Sequence, residues 1–280
     1  MAQRMMPRTL FLSVLLLSIV LFALRPGASA FASANTAATP VLVGPKSHYL
    51  AVGDSLAFGY QPDVNYTHGY SNYFYSNLQQ HGTTTYDNLG CPGETTATMI
   101  NGGCPYSILR KYFYTGAQLT AAVNYIKKYA GQVSPVTLDI GANDLLPDIN
   151  PSTCAISSNW ANDLATVDTN LTQTILPQIN AALTVNGKRT GDLLLMNYYD
   201  PYQNVCPNSV PYIQEINQHI AADAAGYGPV ADVFTAFGGA TTPNPHICSY
   251  TWMCSIFDNI HGSSTGYSVM AGAFEQAYGY

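Results

Sequence analysis

Five short apolar runs punctuate this chain between residues 49 and 234, and each is followed by a longer stretch whose apolar positions recur every three or four residues. That alternation constrains the fold more than any other feature. Strands separated by helices pair in parallel, and the helices must cover both faces of the resulting sheet. The strand candidates are 49–52, 84–89, 136–140, 193–197 and 230–234, and the helix candidates are 70–80, 117–129, 160–183, 211–225 and 269–277. In the third helix, Leu164, Val167, Leu171, Ile175, Ile179 and Leu183 make the stripe that rests on a sheet, and Pro177 is expected to kink it. Ligands of such sheets bind beyond the carboxyl ends of the strands. Three of the five ends carry polar groups: Asp54 and Ser55, Asn88 with the loop beyond it, and Asn143 with Asp144.

The first thirty residues follow a different pattern. Arg4 and Arg8 precede an apolar run from Leu10 to Leu24, and Ala28-Ser29-Ala30 offers a small-residue cleavage site. Residues 1–30 therefore read as a secretory signal peptide, with an uncleaved anchor as the alternative. The run is shorter than the ~20 residues of a membrane span, and no cysteine beside the cleavage site offers a lipid attachment point, so no stable membrane anchor is expected. Residues 31–45, rich in Ala, Thr, Asn and Pro, read as a flexible lead-in. Residues 46–280, about 235 in all, suit one α/β domain expected to act as a monomer.

Charged residues make up only 9% of the chain and the net charge is −6, with no basic cluster beyond the leader. Nothing here would neutralise a run of phosphates, so a nucleic-acid partner is not expected. Six cysteines, Cys91, Cys104, Cys154, Cys206, Cys248 and Cys254, form an even set in an exported chain and imply three disulfides. Fifteen pairings are possible. Proximity in the loops favours 91–104, 154–206 and 248–254. A zinc site from His246, Cys248, Cys254 and His261 is the competing reading, although its spacing fits no common zinc pattern.

Gly53-Asp54-Ser55-Leu56 follows the first strand, where a glycine lets the backbone bend sharply enough to expose the serine hydroxyl as a nucleophile. The bland alternative is a loop with capping Asp and Ser. A base must come from elsewhere, and Asp258-Asn259-Ile260-His261 supplies a carboxylate three residues before an imidazole. On a helical turn or tight loop this spacing puts both groups on one side, so that Asp258 orients His261 while the other ring nitrogen meets Ser55. The remaining histidines have no carboxylate at that spacing on their N-terminal side. Two segments offer oxyanion donors: the Asn143 amide in Gly141-Ala142-Asn143-Asp144, and the backbone N–H of Gly93, with that of Ser55 itself. Singly, Asn143 could equally cap a helix and Gly93 a left-handed turn.

Together these residues resemble the GDSL, or SGNH, hydrolase family. Gly53-Asp54-Ser55-Leu56 matches its nucleophile block, Gly93 its glycine block, Gly141-Ala142-Asn143-Asp144 its asparagine block and Asp258-Asn259-Ile260-His261 its final block, in order along nearly all of residues 46–280. The resemblance implies a flavodoxin-like three-layer α/β/α sandwich around a five-stranded parallel sheet. It also implies ester hydrolysis without a cofactor or metal: a Ser55, His261, Asp258 triad, an acyl-enzyme, and an oxyanion hole of the Ser55 and Gly93 N–H groups and the Asn143 side chain.

Two departures stand out. Gly262 follows the histidine where the family often has proline, and the cysteine-bearing loops are longer than a minimal member needs. Gly262-Ser263-Ser264-Thr265-Gly266 formally matches another nucleophile elbow, but no strand leads into it and no histidine or aspartate follows. It reads as the start of the last helix. Two further functions fit the same sequence: an acyltransferase on the same site, or an inactive carbohydrate-binding or adhesion module exploiting the 21 tyrosines. Lipid, phospholipid, aryl and acetyl-polysaccharide esters are the candidate substrates, and the low charge count disfavours anionic phospholipid surfaces.

Overall fold

In the computed structural model, which describes residues 40–280, the five apolar runs pair into one parallel sheet. Its strands are β1 (His48–Gly53), β2 (Thr85–Asn88), β3 (Val133–Asp139), β4 (Leu193–Met196) and β5 (Val230–Ala231), in the order β2-β1-β3-β4-β5. The expected signal peptide and the start of the lead-in lie outside the described residues. Val43 and Gly44, at the end of the expected lead-in, donate their N–H groups to the buried Asp192 carboxylate at 2.9 and 2.8 Å.

Every residue of β3 and β4 is buried, as strands covered on both faces must be. Pro135 interrupts the central ladder because it has no N–H to give. The register steps from His48↔Val133 to Leu50↔Val136 at that point.

The helices are α1 (Ser55–Phe58), α2 (Tyr70–Leu78), α3 (Thr96–Asn101), α4 (Gln118–Lys128), α5 (Ala142–Leu145), α6 (Trp160–Asn170), α7 (Leu176–Ala182), α8 (Val210–Asp223), α9 (Val233–Ala236), α10 (Pro245–Tyr250) and α11 (Ser264–Tyr278). They pack in two groups with the sheet between them, α2 with α9, α10 and α11, and α3 with α4, α6, α7 and α8. Aromatic rings close the first layer: Phe274 of α11 stacks on Tyr70 with centroids 4.8 Å apart and on Phe74 at 5.7 Å, and Tyr49 of β1 meets Phe74 edge-on at 5.5 Å. This is the three-layer α/β/α arrangement of the SGNH hydrolase fold.

Three elements differ from expectation for identifiable reasons. The helix expected over 160–183 is two helices joined by a π-turn over Leu171–Ile175. Pro177 cannot donate to the carbonyl four residues back and its ring crowds that turn, so the backbone widens, with Leu176 N–H reaching Leu171 O. The last strand stops at Ala231, because the Asp232 side chain accepts from Thr235 N–H and starts α9. The last helix begins earlier than expected, since Ser263 caps it by accepting from Gly266 N–H.

Candidate active site

At the carboxyl end of β1 the chain turns through Gly53 at φ +143°, and a Cβ there would lie 2.2 Å from Asp139 O. Only glycine fits. The Asp54 carboxylate accepts from Leu56 N–H at 2.8 Å and caps α1, so Ser55 becomes the first residue of that short helix. Its own N–H has no acceptor among the described residues and remains available to a ligand.

His261 lies on a two-stranded hairpin formed by Thr251–Trp252 and Asn259–Gly262. Its Nε2 is 2.7 Å from Ser55 Oγ, which brings together two residues 206 positions apart. Its Nδ1 is 2.7 Å from Asn259 Oδ1, which also accepts from His261 N–H at 3.1 Å. An amide oxygen only accepts, so Nδ1 carries the proton and Nε2 is left bare to accept from the Ser55 hydroxyl. Partial burial strips water from the ring and pulls its pKa down to about 4. The Tyr60 ring packs against it with centroids 4.7 Å apart, and Tyr199 OH donates to Ile260 O at 2.5 Å, holding the hairpin in place.

The expected contact between Asp258 and His261 is not made. Asp258 is exposed, turns at φ +44°, and its carboxylate makes no hydrogen bond among the described residues. On a helical turn or tight loop, residues three apart would share a side. The segment is a strand, where residues two apart do, and Asn259 takes the position.

Asn143, in α5, donates from Nδ2 to Glu94 O at 2.9 Å. Cys91 N–H donates to Gly53 O at 3.1 Å, so the loop carrying Gly93 is fastened to both β1 and α5. Gly93 takes φ +79°, and its N–H is uncommitted among the described residues. Glu94 is buried beside it, and burial pushes its carboxyl up to about 7.

A pocket opens from this cluster, and Ser55, His261, Asn143 and Asp54 all line it. Beyond them its walls are apolar: Leu145, Leu146 and Ile149 after β3, Trp160 of α6, and Ile213 and Ile216 of α8. Gly93 is not part of this lining. These walls come from three separated segments, so no local sequence pattern marks them.

The six cysteines pair as 91–104, 154–206 and 248–254. The first bond closes the loop beside Gly93, the second ties the loop after Ile149 to the loop after Pro201, and the third braces the segment leading to His261. The alternative zinc set is thereby broken, because Cys248 and Cys254 are bonded to each other and His261 faces Ser55. No helix among the described residues is long and apolar enough to cross a membrane.

With this geometry in place, the model of the GDSL-like Lipase/Acylhydrolase family matches residues 51–269, most of the chain. The chain belongs to the GDSL-like lipase/acylhydrolase family. As a member of that family it is a carboxylester hydrolase. Among solved structures it is similar to the lipase Lip_vut3 from a goat rumen metagenome, at 18% identity and TM-score 0.56, covering 82% of this chain and 96% of that one. A putative GDSL-like lipase from Parabacteroides merdae is 14% identical at TM-score 0.56, covering 86% and 99%. The acetylxylan esterase Axe2 from Geobacillus stearothermophilus is 16% identical at TM-score 0.50, covering 86% and 97%. At such identities these likenesses speak to the GDSL fold alone. No curated protein sequence matches the chain.

Proposed function

We propose that this GDSL hydrolase cleaves esters through Ser55 as nucleophile and His261 as general base, by way of an acyl-enzyme. The observation that carries the reading is the 2.7 Å approach of Ser55 Oγ to a bare His261 Nε2. Ser55 Oγ attacks the acyl carbon and His261 takes its proton. The carbonyl π-electrons move onto oxygen, where the N–H groups of Ser55 and Gly93 and the Asn143 side chain receive them. Collapse expels the alcohol, protonated by His261, and water repeats the cycle to release the acid. Every proton and electron pair is supplied by these groups and the substrate.

Asn259 holds the ring tautomer in the resting arrangement. Asp258 is the only carboxylate in the hairpin and is proposed as the counter-charge that His261 recruits when it becomes an imidazolium. The signal-like leader and three disulfides favour action outside the cell.

The apolar walls favour an aliphatic acyl group over acetyl, because Leu145, Leu146, Ile149, Ile213 and Ile216 offer more apolar surface than an acetyl methyl can cover. Axe2, named for acetylxylan, supplies the contrasting case. Labelling with a fluorophosphonate and turnover of nitrophenyl esters of increasing chain length test both points. Wild type should label and prefer medium chains; Ser55→Ala should do neither. A folded Ser55→Ala protein with normal turnover, or an optimum at acetate, would sink the respective claim.

A further inference from the structure

Beneath the Ser55 turn lie two carboxyl groups that the reaction above does not use. Asp54 and Asp139 are 1% and 0% exposed, on adjacent strand ends. The Asp139 side chain reaches three elements at once: Oδ1 accepts from Tyr70 OH of α2 at 2.5 Å, and Oδ2 from Ala57 N–H of α1 at 3.1 Å and from Asp54 N–H at 3.4 Å. Its Cγ fills the space a side chain at position 53 would take, 2.9 Å from the site of that Cβ. The Asp54 carboxylate, in turn, caps α1 and lies 3.5 Å from Ser55 Oγ.

Among the described residues no cation balances this pair. The groups that face it are Tyr49 of β1, Tyr70 of α2, Tyr198 and Tyr199 after β4, and Tyr267 of α11. The nearest further ionisable groups are the carboxyls of Glu94 and Asp144 and the imidazole of His261, which is neutral. Among the described residues no lysine or arginine is bonded to either carboxylate. Two like charges buried on neighbouring strand ends without a counter-ion cannot both persist.

We infer that Asp139 is a positioning residue for the nucleophile, and that Asp54 and Asp139 share one proton which locks the Gly53-Asp54-Ser55 turn under Ser55 Oγ. This inference rests on Ser55 being the nucleophile. Burial, the first cause, raises both groups, Asp54 to about 6, and the neighbouring Asp54 carboxylate raises Asp139 further, while the hydrogen bond from Asp139 favours the charged form of Asp54. Over a broad range near neutrality the pair therefore keeps a single proton and a single charge. When that last proton leaves, the carboxylates repel and the turn loosens.

The test uses the whole enzyme, with kcat, KM and the rate of fluorophosphonate labelling followed across pH for wild type, Asp139→Asn, Asp139→Ala and Tyr70→Phe. Asparagine supplies a permanent donor toward Asp54, so Asp139→Asn should keep at least half of kcat and lose the alkaline fall expected of wild type. Asp139→Ala should lower kcat and labelling together by about 10–100-fold with KM little changed, because Asp139 does not line the pocket. Tyr70→Phe removes a bond that favours the charged form of Asp139, so its alkaline fall should move to higher pH. If Asp139→Asn is as impaired as Asp139→Ala, or keeps the wild-type alkaline limb, the shared proton is refuted. Labelling absent from wild type as well would instead overturn the assignment of Ser55.

Discussion

Asn259 Oδ1 lies 2.7 Å from His261 Nδ1, two residues along the same strand, so an amide and not a carboxylate fixes the imidazole that meets Ser55. Replacing Asn259 with alanine frees the ring to rotate and to change tautomer. A positioned base contributes about 10²–10⁴-fold, and part of that, on the order of 10–100-fold in kcat, should go with Asn259→Ala. Asp258→Ala should cost less in the resting enzyme's labelling rate than in kcat, since Asp258 is proposed to act once His261 is charged. Steady-state kinetics and labelling on the two variants separate the roles, and equal effects of both on labelling would contradict this division.

The pH profile carries a second expectation. His261 must be neutral to accept the Ser55 proton, and burial lowers its pKa from the ordinary imidazole value to about 4. Lowering a base's pKa extends the neutral form toward acid, so the acid limb of kcat/KM for an uncharged ester should fall near pH 4. A midpoint near 6.5 would mean that water reaches the ring.

Asn143 donates to Glu94 O and faces the pocket beside Ser55. Its loss should remove one oxyanion donor and lower kcat about 10²–10³-fold while changing KM little. Because the same amide fastens the Gly93 loop, Asn143→Ala should also raise hydrogen exchange at residues 91–94, which mass spectrometry can read. Full activity in the variant would remove Asn143 from the reaction.

The Cys154–Cys206 bond closes a loop of 52 residues across the rim of the pocket. By chain-entropy reasoning such a loop is worth about 4 kcal/mol, which in a domain of this size corresponds to a Tm lower by roughly 10 °C in Cys154→Ser/Cys206→Ser. Calorimetry checks the value. An unchanged Tm would show that the rim is held by its other contacts.

The sheet was legible because strands and helices with long periodic patterns advertise themselves: all five strands and the five long helical stretches lie where the sequence puts them, within a few residues. The short helices α1, α3, α5, α9 and α10 were not, since four to six residues carry no period and depend on caps such as Asp54, Thr95 and Asp232. Ser55, His261 and Asn143 were legible as motif residues, and the structure brings all three to one pocket. Asn259 was missed because the hairpin's two-residue period was hidden in a run with one obvious carboxylate. The apolar walls and the Asp54–Asp139 pair depend on contacts between distant segments, which no local pattern encodes.

The two outer strands of the sheet are short, four residues in β2 and two in β5, and β5 gives way at once to the capped turn of α9. A neighbouring molecule seeking to extend the sheet would find almost no open row of N–H and C=O groups on that side. The architecture that presents a reactive serine at one end of its strands thus denies other chains a template along their flanks, and crowded solutions of this enzyme should resist stacking into fibrils.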